Sequence, residues 1–70
     1  MNIKMNCFTE QQHANKMAAI ARHNSAIKAA RGLLTQQGNE PAFYAWHEKT
    51  IAENARMIRE IEADNPVNWG

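Results

Sequence analysis

The chain has 70 residues, a net charge of +1 and a single cysteine, Cys7. This length allows one domain over residues 1–70, and a lone cysteine excludes an intrachain disulfide and suits the reducing cytoplasm. No apolar run approaches the roughly 20 residues of a membrane span, and residues 1–8 lack the apolar core of a secretory signal. We therefore expect a small cytoplasmic protein whose core is completed by self-association or by its tails.

The first predicted element is a helix over residues 9–37, preceded by a flexible arm, residues 1–8. Thr9 is the predicted N-cap, because Gln12 follows three residues later as in a capping box. From residue 17 onward, six residues recur at alternating steps of three and four, which places them on one face of a helix. This first stripe is Met17, Ile20, Asn24, Ile27, Arg31 and Leu34.

A turn at Gly38 leads into a second predicted helix over residues 40–64, with Asn39 as its cap and a short flexible tail, residues 65–70. The helix carries a matching stripe: Tyr44, His47, Ile51, Asn54, Ile58 and Ile61. In an antiparallel hairpin the two stripes meet in register, with a central Asn24–Asn54 layer that would fix the alignment. The predicted fold is all-α, a two-helix antiparallel hairpin that we expect to dimerise into a four-helix bundle.

Each helix has side chains outside these stripes. Those of helix 1 are small: Ala14, Ala18, Ala21, Ser25, Ala29 and Gly32. Small side chains allow close approach of a second subunit or of an aromatic side chain. Alternatively, they are present simply because Ala is a good helix former. Helix 2 has Phe43, Trp46, Thr50, Glu53 and Met57, flanked by Glu60 and Asp64. Aromatic and Met side chains with a charged rim are typical of an interface, although they can equally complete an intramolecular core.

From this second set we predict a surface that binds a larger protein. The aromatic and Met side chains would be its anchors, and the carboxylates would orient the target. The predicted contact residues are Phe43, Trp46, Glu53, Met57, Glu60 and Asp64. The acidic end of helix 2 has two interpretations, neutralisation by the positive start of helix 1 or docking into a basic groove of the target.

Nucleic-acid binding is the alternative, because Lys16, Arg22 and His23 give the first half of helix 1 a basic outer face. A dimeric helical hairpin resembles, in architecture, the small plasmid-type RNA-binding regulators, in which two hairpins form a four-helix bundle and one helix face grips RNA. The resemblance rests on architecture and on no shared motif. It implies that one helix face would contact RNA or DNA.

No enzyme signature or cofactor motif is present. Cys7 and His13 lack a carboxylate placed by sequence to orient them, and the three histidines are not spaced as a metal-binding pair. We therefore expect a non-enzymatic regulator or inhibitor without metal or cofactor. A structural oligomerisation module, using the same stripes and no outside partner, is the second alternative.

Overall fold

The computed structural model describes residues 8–70, and these form two α-helices followed by a short 3-10 helix. α1 spans Glu10–Leu34, α2 spans Pro41–Ala63 and the 3-10 helix spans Pro66–Trp69. α1 packs against α2, which confirms the predicted all-α helical hairpin. Within this described range, no helix has an apolar stretch long enough to cross a bilayer. The predicted arm, apart from its last residue, lies outside the described residues, and so does Cys7.

The start of α1 follows the predicted capping box. The Thr9 hydroxyl accepts a hydrogen bond from the Gln12 backbone amide at 3.0 Å, and the Gln12 side chain accepts one from the Thr9 amide at 2.8 Å. The helix ends at Leu34, three residues before the predicted end. Thr35 closes it, because both its amide and its hydroxyl donate to the Gly32 carbonyl.

The turn between the helices is held by Tyr44. Its hydroxyl donates to the Gln36 carbonyl at 2.7 Å and accepts from the Asn39 amide at 3.3 Å. Gly38 has a positive φ of 85°, as expected for the residue that reverses the chain. The predicted cap at Asn39 is wrong: Glu40 occupies the N-cap position of α2, and its side chain makes no capping hydrogen bond.

The contact face of α1 is rotated by one residue relative to the predicted stripe. Ile20 and Ile27 are buried as expected, but Met17, Asn24 and Arg31 lie exposed. The residues one position earlier take their place in the contact: Lys16 and His23 are half-buried, and Ala30 is buried. Both patterns alternate steps of three and four and share Ile20, Ile27 and Leu34, so periodicity alone does not separate them. The observed pattern places the small side chain of Ala30 in the contact, where the predicted pattern would have placed Arg31.

A polar pair lies in the middle of the helix contact. His23 Nδ1 is 2.6 Å from Asn54 Oδ1, and the Asn54 amide nitrogen donates to the Thr50 carbonyl at 2.8 Å. The predicted Asn24–Asn54 layer is therefore wrong, and His23 takes the place of Asn24. Because the Asn54 oxygen can only accept a hydrogen bond, His23 Nδ1 is the donor of this pair.

The main apolar cluster lies at the open end of the hairpin, away from the turn. It consists of Ala19, Ile20 and Ile61, with Ile58 and Trp69 packed against it. The 3-10 helix brings Trp69 back onto α1, and the Asn15 side chain donates to the Trp69 carbonyl at 2.7 Å. The C-terminal segment is thus part of the packing.

Candidate protein-binding face

One row of residues on α2 combines large apolar side chains with acidic ones on the same side of the helix. Steps of three and four place its members above one another. We call this row the α2 stripe: Phe43, Trp46, Thr50, Glu53, Met57 and Glu60. Trp46 is 63 % exposed and Met57 is 40 % exposed, which are large fractions for side chains of this size. Trp46 and Met57, two of the predicted anchors, are therefore accessible on the surface.

The aromatic end of the stripe is braced by rings close to the turn. Phe43 is half-buried, and its ring meets the edges of Tyr44 and His47 at centroid distances of 5.2 Å and 4.5 Å. His47 also meets Trp46 at 5.1 Å and 88°. Perpendicular ring contacts of this kind are favourable. Trp46 thus touches His47 while most of its surface stays exposed, whereas Phe43 belongs partly to the interior.

The two exposed carboxylates of the stripe differ in their surroundings. Glu60 forms an ion pair with Arg56 at 2.8 Å, one turn away on the same helix. Glu53 is exposed and makes no hydrogen bond or ion pair within residues 8–70. It lies between Trp46 and Met57 on the stripe, so it places a carboxylate that has no ion pair among the described residues between two exposed apolar side chains.

Asp64 continues the stripe by one turn but is engaged in the structure itself. Its carboxylate accepts hydrogen bonds from the Asn68 side chain at 2.8 Å, the Asn65 amide at 2.9 Å and the Trp69 indole at 3.1 Å. The Asn68 hydrogen bond is the main reason that the pKa of Asp64 is lowered. The Asp64 carboxylate thus holds the C-terminal segment in place. In this it differs from the five other predicted contact residues.

The three basic residues predicted for nucleic acid do not share an open face. The Lys16 ammonium donates to the carbonyls of Glu62 and Asp64 and so satisfies the end of α2. His23 is bonded to α2 inside the helix contact. Only Arg22 is exposed and without a hydrogen bond or ion pair to other described residues.

Arg22 borders a shallow groove of about 330 Å³ at the open end. The lining residues are Asn15, Ala18, Arg22, Asn68, Trp69 and Gly70. Three of these belong to a row on α1 that continues at helical spacing. We call it the α1 row: Asn15, Ala18, Arg22, Ala26, Ala29 and Leu33. The sequence contained the signal for this row in its helical spacing, but the pairing of the helices was needed to place it beside the α2 stripe.

In the described part of the chain, no three His, Asp or Glu side chains lie close enough together to bind a metal ion. Comparisons with protein-family models, curated proteins and solved structures give no match.

Proposed function

We propose that this protein is a small non-enzymatic regulator or inhibitor that works by binding a larger protein through the α2 stripe. The observation that carries the proposal is the exposure of Trp46, whose ring contacts His47, in a row that also contains the exposed Met57. Because the single cysteine suits a reducing compartment, the proposal places the protein in the cytoplasm.

The energetic argument concerns the indole. A Trp side chain buries about 150–250 Å² when covered. At about 25 cal/mol per Å², covering the exposed part of Trp46 contributes about 2 to 4 kcal/mol before the cost of association. That is the range of a dominant interface residue. Met57 would add a flexible apolar contact, and Glu53 would select a target with a facing cation.

The nucleic-acid alternative has less support, because Lys16 and His23 are engaged by α2. Arg22 alone supplies little of the phosphate contact that drives such binding. A salt titration with mixed RNA and DNA tests it. Affinity that rises steeply as salt is lowered, and that Arg22→Gln reduces, would favour this alternative over protein binding.

The test of the proposal is a capture experiment from the native host, read by mass spectrometry. Trp46→Ala is expected to lose a protein that the unmodified chain retains, with the helical circular dichroism unchanged. Met17→Ala is the matched control, because Met17 is 46 % exposed and lies off the α2 stripe. Equal capture by all three proteins would overturn the proposal, and so would loss of helicity in Trp46→Ala, since that would make Trp46 a core residue.

A further inference from the structure

We propose that, in the free protein, a second copy of this chain covers the α2 stripe, with α2 of each copy lying on the α1 row of the other. The inference rests on the proposed function in one respect, namely that the target would have to displace the second copy from the same face. It concerns regulation of that site by self-association.

The first step is that the α2 stripe and the α1 row border the same side of the hairpin. Asp64 follows Glu60 by one turn and so extends the α2 stripe. Its carboxylate bonds to Asn68 and Trp69, which line the groove together with Ala18 and Arg22 of the α1 row. The two rows therefore form one face, with the helix contact between them.

The second step is that the rows are complementary in size. The α2 stripe has large side chains, whereas the α1 row has small ones at Ala18, Ala26 and Ala29. His23 lies opposite Asn54, so counting along the antiparallel helices places Trp46 level with the turn between Ala29 and Leu33. A two-fold axis parallel to the helices would set each α2 over the other copy's α1 at the same level. Each Trp46 would then lie beside Ala29, the small side chain at one end of that turn.

The third step is charge. The face carries one exposed cation, Arg22, and one central exposed anion, Glu53, and neither forms an ion pair within the described residues. Residues 1–7 contain no acidic side chain that could pair with Arg22. In the same count along the helices, Glu53 lies within about one helical turn of the level of Arg22. The two-fold arrangement would therefore form the Arg22–Glu53 pair twice, which is the reciprocity of an isologous interface.

The burial of the single chain also favours a second copy. The buried apolar residues within the described range are Ala19, Ile20, Ile27, Ala30 and Ile61, and none of these side chains is completely enclosed. Chains of this size commonly gain the missing burial by oligomerisation. Stacking the two faces would cover Trp46 and Met57 and place α1 and α2 in a four-helix arrangement.

The experiment is sedimentation equilibrium of the full chain over a wide concentration range. The unmodified protein is expected to reach twice the 8.0 kDa chain mass. Arg22→Glu and Glu53→Arg should each weaken the dimer by about tenfold or more, because each puts like charges together twice. The double variant R22E/E53R should restore it. Arg59→Glu, an exposed charge of α2 off the stripe, is the matched control and should leave the dimer intact.

A monomeric wild-type chain at every concentration would overturn the inference, as would a double variant that stays dissociated or an assembly larger than a dimer. Circular dichroism checks that each variant remains helical. A monomer that still captures a target through Trp46 would refute only the second copy. A charge-dependent dimer with no Trp46-dependent capture would refute only the proposed function, and the chain would then be an oligomerisation module.

Discussion

The two ends of the hairpin use aromatic residues in opposite ways. At the open end, Trp69 packs against Ile20 and Ile61, and its indole nitrogen donates to Asp64. At the turn, Trp46 is braced by His47 but leaves most of its surface uncovered. One Trp therefore contributes to the fold, while the other is available for contact with another molecule.

The two Trp side chains differ in exposure because a chain segment folds over the open end of the hairpin. After α2, the segment 65–70 turns through a 3-10 helix and covers the apolar cluster. Among residues 8–70, no segment folds over the turn, where Tyr44 ties the short loop to the Gln36 carbonyl. Trp46 is therefore left exposed near the turn, whereas Trp69 is covered in the packing at the open end.

The largest expected effect is on the open end. Ile61→Ala would leave a cavity beside Ile20 and should reduce the free energy of unfolding by about 2 to 4 kcal/mol. Urea denaturation followed by circular dichroism measures it. Val67→Ala, at an exposed position of the same end, should change stability by less than about 0.5 kcal/mol. Similar losses in the two variants would mean that the open end is not the main core.

A smaller effect is expected at the turn. Tyr44→Phe removes the hydrogen bond to the Gln36 carbonyl but keeps the ring packing, so it should cost about 0.5 to 1.5 kcal/mol. Amide hydrogen exchange should show faster opening near Asn39, while the amides around Ile61 keep their protection. Uniformly faster exchange at both ends would show that the two ends do not open separately.

The smallest expected effect is the pH dependence of the C-terminal segment. Hydrogen bonds lower the pKa of Asp64, so its stabilising contribution is complete above the ordinary aspartate pKa and is lost as pH falls through the lowered value. The indole N–H resonance of Trp69 should follow this titration by NMR. The exposed Trp46 indole is an internal control and should not move with it.

Asp64→Asn should remove the pH dependence of the Trp69 resonance. A Trp69 resonance that titrates unchanged in this variant would show that another group holds the indole.

Local signals in the sequence were sufficient for the helices and their arrangement. The Thr9 and Gln12 capping box, Gly38 at the turn and the alternating apolar steps predict an α-helical hairpin, because each depends on residues within one or two turns of one another. The same periodicity placed Trp46 and Met57 off the helix contact but left open whether they complete a core or bind a partner, and in the structure both are exposed. The binding role assigned to them stays a prediction.

Only the packing of one helix on the other decided which side chains lie in the contact. Ile20 and Ile27 are compatible with two stripes, and the choice between Asn24 and His23 as the partner of Asn54 depends on a rotation of α1 by a fraction of a turn. The engagement of Lys16 likewise depends on the carbonyls of Glu62 and Asp64, which are 46 and 48 positions away in the sequence. Periodicity along one helix describes its own faces, whereas the cost of burying a charge or leaving an amide unpaired is set by the neighbouring helix.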